Sequence, residues 1–254
     1  MTSWVPAGAW LAPGYAEWAA PARLRDTVSC LWASVVPDDA DERASVVLPD
    51  GCCDLIWEQG VGAYVAGPDT AAVPVVSRPG SVSVGARFRP GHGGPALALP
   101  LSELTDQRVG LADVLPAFAG DTGLAGDRAP ADAAALVLDL AGRLVADQEP
   151  DQAIARAARL LRDPAARTED VAGDAGLSER QFRRRFHAAA GYGPKTLQRV
   201  LRFQRFVRQV DAAADVIDLA AAAVAAGYAD QAHLTRECKA LSGLTPTALA
   251  RTRG

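Results

Sequence analysis

The sequence predicts an α+β chain of two domains, a β-rich domain over residues 1–148 and an all-helical domain over 152–254. Three observations lead there. Up to about residue 125, short valine-containing runs alternate with glycine and proline turns, and beyond about residue 130 apolar residues recur at helical spacing. Charge also changes sign along the chain. The 254 residues carry a net charge of −4. From residue 150 on there are 17 Lys and Arg against 11 Asp and Glu, net +6, and before it 9 against 19, net −10. An acidic module therefore precedes a basic one, and the basic one suits a polyanionic partner.

The first half is read as strands because VSCLWASVV, ASVVLPDG, CDLIWE, AYVAGP, VPVVSRPG and SVSVGARFRPG are short runs rich in strand-forming residues, bounded by turn residues. In CCDLIWE, period-two alternation puts Cys53, Leu55 and Trp57 on one face and Cys52, Asp54, Ile56 and Glu58 on the other. Residues 109–118 and 130–148 switch to helical patterning. In the second of these, Ala134, Val137, Leu138, Ala141, Leu144 and Val145 form an apolar stripe, able to pack on its own domain or on a second subunit. The run QEPD at 148–151 marks the boundary, since a proline stops the helix there. Residues 152–161 then open the basic half with another amphipathic helix.

Residues 171–187, VAGDAGLSERQFRRRFH, read as two short helices joined by a tight turn. Ser178 is an N-cap, and Gln181 three positions on completes a capping box. Gly176 supplies the turn, where a left-handed backbone favours glycine. Phe182 and Phe186, four apart, share the face that buries against Val171 and Ala175, leaving Arg180, Arg183 and Arg184 pointing away. The layout returns in LAAAAVAAGYADQAHLTRECKALSGLTP. A shift of 52 takes Ser178 to Asp230, Phe182 to Leu234, Arg184 to Arg236, Phe186 to Cys238, Gly191 to Gly243 and Pro194 to Pro246. The turn glycines Gly176 and Gly227 are 51 apart, so the second copy has one more residue between glycine and cap. Between the copies, PKTLQRVLRFQRFVRQV places Val200, Phe203, Val207 and Val210 at helical spacing and reads as a long connecting helix.

With these motifs in hand, residues 152–253 resemble the DNA-binding domain of the AraC/XylS family of bacterial transcription regulators. RRRF followed by GYGP in the first copy, and TREC followed by GLTP in the second, follow the family pattern, with Cys238 in place of the usual aromatic. The resemblance implies two helix-turn-helix units flanking a central helix, each second helix entering a major groove of promoter or operator DNA. It also implies RNA polymerase as a partner, and an amino-terminal domain that binds a small-molecule effector or pairs two copies into a homodimer. LPDGCCDLIW, GPDT, VGARFRPG and LPLSEL resemble the amino-terminal domain of one branch of AraC-type regulators, a domain of unknown biochemical role. Most members carry a cupin-like barrel there, and only its β-rich character is carried over.

The DNA-contacting set is then Arg180, Arg183 and Arg184 in the first copy and Gln231, Thr235 and Arg236 in the second. A lone arginine-rich helix is more often a solvated basic face, but the duplicated turn-and-cap framework reverses that reading. Arg180 and Arg183, early in their helix, are placed to reach base edges, and Arg184 and Arg236 occupy matching positions. Arg199, Arg202 and Arg205 are assigned to packing or to the backbone. The only lysines are Lys195 and Lys239. Contacts must therefore rest almost wholly on arginine, whose planar fork suits both phosphate and guanine.

Other chemistries are less well supported. Cys52, Cys53, Asp54 and His92 invite a metal reading, but adjacent cysteines on a strand point apart and no C-x-x-C or H-x-x-x-H spacing is present, so no metal or cofactor is expected. No nucleophile elbow or phosphate-binding glycine loop occurs. The expectation is a non-enzymatic regulator, activator or repressor, with an enzyme-regulator fusion as the alternative. His92, in RPGHGG, is read as part of a turn. Trp10, Trp18, Trp32, Trp57 and Tyr64 are read as core, with an effector pocket as the alternative. Cys30, Cys52, Cys53 and Cys238 form no paired framework, and no targeting segment or 18-residue apolar run is seen, so a reduced, cytoplasmic location is expected.

Overall fold

The computed structural model describes residues 14–118, 124, 126–146, 148–213 and 217–253. Among the described residues, eight strands form two sheets. Strands β1 (Gly14–Ala19), β2 (Val28–Val35), β4 (Cys53–Glu58), β5 (Gly62–Ala66), β7 (Val82–Phe88) and β8 (Arg108–Gly110) make a six-stranded antiparallel sheet in the order β1-β2-β7-β4-β5-β8. Strands β3 (Arg43–Val47) and β6 (Val73–Ser77) pair as a separate two-stranded ribbon.

The alternation in CDLIWE decides how the large sheet is covered. Cys53, Leu55 and Trp57 are buried at 2%, 0% and 0% exposure, together with Val84, Ala86 and Phe88 from β7. This face is sealed by α3 (Pro130–Ala146), through Ala133, Ala134, Val137, Leu140, Ala141 and Leu144. The helix therefore packs on its own sheet. Its buried stripe takes in Ala133 and Leu140, while Leu138 and Val145 are only partly buried.

Residues 109–118 carry less helix than their pattern suggests. They finish β8, form the single turn α2 (Leu111–Val114), and end in a 3-10 turn at Pro116–Phe118. RPGHGG, read as a turn, leads instead into α1 (Gly93–Leu97), with His92 at its N-cap and 4% exposed.

The carboxyl-terminal half is helical throughout: α4 (Gln152–Leu160), α5 (Thr168–Asp174), α6 (Glu179–Ala190), α7 (Pro194–Ala212), α8 (Leu219–Ala226), α9 (Gln231–Ser242) and α10 (Pro246–Arg253). Two cores form around α7. The first gathers Ile154, Val171, Ala172, Phe182, Phe186 and Leu197, and the second Val200, Phe203, Phe206, Ala223, Leu234, Cys238 and Leu249. Cys238, where the first copy has Phe186, is fully buried beside larger neighbours in the second core.

The two halves are in contact. Thr105 donates its hydroxyl to the Gly191 carbonyl (2.7 Å), Gln204 donates to the Pro49 carbonyl (2.8 Å), and the Ala72 amide donates to the Leu241 carbonyl (2.8 Å). Gly94 is where α1 meets α6 most closely, since a Cβ there would sit 2.4 Å from the Ala188 carbonyl oxygen. Among the described residues, no helix is long and apolar enough to cross a membrane.

Candidate nucleic-acid interface

The first unit begins with α5, whose C-cap Ala175 is followed by Gly176 at φ 66°. This left-handed residue turns the chain within three positions into the Ser178 cap. Ser178 Oγ accepts from the Gln181 amide (3.4 Å), and Gln181 Oε1 accepts from the Ser178 amide (3.1 Å), so the capping box is closed. Phe182 and Phe186, with ring centroids 5.5 Å apart, anchor the back of α6 in the first core. Geometry then leaves Arg180, Arg183 and Arg184 in solvent. Arg183 donates to Glu179 (3.0 Å), while Arg180 and Arg184 have no ion-pair partner among the described residues.

The second unit repeats this with different side chains. Asp218 caps α8, Gly227 ends it at φ 93°, and Asp230 caps α9 by accepting from the His233 amide (2.6 Å). Leu234 and Cys238 are buried as Phe182 and Phe186 are in the first. Gln231 and Arg236 are exposed, and Thr235 is half-buried with its hydroxyl donating to the Gln231 carbonyl (2.8 Å). Both second helices stop at a left-handed glycine, Gly191 and Gly243, before a proline opens the next helix.

Three arginines of α7 are engaged by neighbouring elements, while Arg208 is exposed. Arg199 pairs with Glu237 (2.7 Å), Arg202 lies over the Tyr228 ring at 5.5 Å, and Arg205 donates to the Ala226 and Arg162 carbonyls (3.0 and 2.7 Å). These contacts tie the connecting helix to the second unit and to the turn after α4.

Sequence reasoning overlooked one part of this surface. Beside α6 runs an open groove of about 770 Å³ containing Arg183, Arg184, His187, Lys195 and Thr196 but no carboxylate. Pro100 and Ser102 of the amino-terminal half form its other wall. Lys195 and Thr196 stand in the first turn of α7, where helix geometry favours an anion. The signal in the sequence was Pro194 at the start of a long helix with lysine next to it.

Residues 171–252 match the family model described as a helix-turn-helix domain, and residues 16–110 match a domain of unknown function, DUF6597. Residues 171–252 are an AraC-type helix-turn-helix domain. The chain is a DNA-binding transcription regulator with an AraC-type domain in its carboxyl-terminal half. No curated protein is significantly similar to it.

Among solved structures, the carboxyl-terminal domain of AraT, a response regulator from Geobacillus stearothermophilus, is 19% identical, with 40% of this chain and 85% of that one covered at a TM-score of 0.37. An apo point variant of ToxT from Vibrio cholerae is 11% identical over 88% of this chain and 98% of that one, TM-score 0.44. Wild-type ToxT bound to an unsaturated fatty acid is 12% identical over 93% of each, TM-score 0.42. At such TM-scores these likenesses do not by themselves establish a shared fold.

The residues suspected of other chemistry are divided among three places in the regulator. Cys53 lies in the core beneath α3, while Cys52 lies on the opposite side of the sheet. No group of three His, Cys, Asp or Glu among the described residues could hold a metal ion. His92 shares a pocket with Arg25, Arg89 and Arg159, and burial, followed by the charges of Arg159 and Arg89, lowers its pKa to about 4. Of the aromatics, Trp57 is core, Trp18 packs against that core, Trp32 and Tyr64 line a cavity, and Trp10 lies outside the described residues.

Proposed function

We propose that the regulator recognises a specific promoter or operator by placing α6 and α9 in successive major grooves, with Arg180, Arg183, Arg184, Gln231, Thr235 and Arg236 towards the DNA. One observation carries this reading. Both helices start at side-chain-capped ends and present polar residues in their first turns, and both are anchored from behind to the same 19-residue helix. That helix is about 28 Å long, close to the roughly 34 Å that separates equivalent groove positions one turn apart. Arg180 and Arg184, with no ion-pair partner to release, read base edges, whereas Lys195 and Thr196 hold a phosphate. A chain dividing at 148–152 then puts the control function in residues 1–148, exercised through a small-molecule effector or a second copy. RNA polymerase is the protein partner at the promoter.

Selection of duplexes from a random pool, followed by fluorescence anisotropy, tests this. Arg180→Ala and Arg184→Ala are each expected to weaken binding to the selected duplex by about 1 to 3 kcal/mol and to relax preference at one base pair. Lys195→Ala is expected to weaken all duplexes alike and to reduce the salt slope by about one. Arginine variants with unchanged affinity and selectivity would overturn the assignment.

A further inference from the structure

The two faces of the large sheet differ in chemistry. The face opposite α3 carries Trp32, Asp54, Ile56, Glu58, Tyr64 and Arg87 and opens on a cavity of about 610 Å³. The β3–β6 ribbon and α7 supply its other walls, the latter through Gln204, Val207 and Arg208. Around it, Val46, Val75, Val76 and Tyr15 are 49%, 37%, 51% and 56% exposed. Apolar side chains left wet around a concave space with convergent polar groups are the usual make-up of a ligand pocket.

The charges select the ligand. Arg87 lies within 3.3 Å of Glu17, 3.3 Å of Asp50 and 3.1 Å of Asp54, so one guanidinium faces three carboxylates. Arg108 is committed to Asp69 at 2.7 Å, and Arg253 to Asp211 at 2.5 Å. Glu58 has only the Tyr64 hydroxyl (2.9 Å) as partner among the described residues. The lining holds six carboxylates against four guanidinium groups. Among the described lining residues, an anion would meet just one arginine without a carboxylate partner, the exposed Arg208. Tyr15 and Trp32, with ring centroids 6.0 Å apart, and Tyr64 add aromatic surface, whose π faces attract organic cations.

We propose that this cavity binds a small organic ammonium ion with an apolar body, its charge held by Tyr15, Trp32, Tyr64 and the carboxylates of Glu17 and Glu58, its apolar part against Val46, Val75 and Val76. Such a ligand bridges the halves of the molecule. It touches α7 directly, and the ribbon it contacts continues to Ala72, whose amide holds the Leu241 carbonyl of α9. Filling the cavity fixes the ribbon between the sheet and the second helix-turn-helix unit. This control role rests on the DNA-reading proposal, whereas the ligand class does not.

Isothermal titration of the full chain with benzyltrimethylammonium, benzyl alcohol and phenylacetate compares a cation, a neutral molecule and an anion of similar body. The ammonium is expected to bind at one site, roughly tenfold tighter than either analogue, and to lose roughly that advantage in Glu58→Gln and in Glu17→Gln, which retain an acceptor for the tyrosine hydroxyls. Equal or tighter binding of phenylacetate or benzyl alcohol, or no ammonium binding, overturns the proposal even if neither variant folds. Ammonium binding unchanged in both folded variants also overturns it. Anisotropy with a selected duplex, run on the same protein, separates the two readings. Ammonium binding without duplex binding sinks the DNA-reading proposal alone, and duplex binding without ammonium preference sinks the cavity alone.

Discussion

At the residue scale, two carboxylates illustrate how burial divides stability from binding: Asp54 is enclosed and Glu179 is exposed. Burial raises the pKa of Asp54 to about 6, opposed by Arg87 and reinforced by Asp50; Trp32, donating its indole N–H at 3.1 Å, also favours the ionised form. The folded protein thus holds this proton more tightly than the unfolded chain. The associated stability is present below about pH 4 and is lost as pH rises through about 6. Asp54→Asn should therefore gain stability relative to the parent between pH 4 and pH 7 in urea unfolding; a constant difference would contradict it. Glu179, by contrast, sits in solvent beside Arg183 on α6. An exposed pair of this kind contributes little to stability, about 0.3 to 0.5 kcal/mol, yet its carboxylate opposes an approaching phosphate. Glu179→Ala is expected to leave stability nearly unchanged and to tighten DNA binding, most clearly at low salt. Weaker binding would count against α6 as the DNA-facing helix.

At the element scale, the junction between α1 and α6 decides whether the halves move together. Gly94 lies against the backbone of Ala188, where a side chain has no flexible neighbour to displace. Gly94→Val should loosen this junction and speed limited proteolysis at 148–151, with the helical half still folded by circular dichroism. An unchanged cleavage rate would show that the contact bears no load. The helical elements were legible because caps, turn glycines and helix-opening prolines are local signals and occur twice. Strand β1 was not, since GYAEWA shows no clean alternation and is mostly exposed. The short helix Gly93–Leu97 reads as a turn because Gly-Gly-Pro disfavours helix locally, and packing against α6 and α3 overrides that preference. Alternation in CCDLIWE gave both faces of β4, but what stands opposite Asp54 and Glu58 depends on strands and helices far along the chain. For the same reason the place of Lys195 beside α6 could not be read from its position in the chain.

At the scale of the whole molecule, an acidic β-rich half rests on a basic helical half through hydrogen bonds to α6, α7 and α9. Arg199, Arg202 and Arg205 of α7 are engaged by neighbouring elements of the helical half, whereas Arg180 and Arg184 of α6 are left to solvent. This division of labour means that spacing between the units, as well as contact chemistry, sets which duplex is bound. Hydroxyl-radical footprinting of the full chain on a selected duplex measures that spacing directly. The expected pattern is two protected patches on one face of the duplex, about one helical turn apart, with the outer patch lost in a Gln231→Ala, Arg236→Ala double variant. A single patch, unaffected by that variant, would contradict reading by two helices.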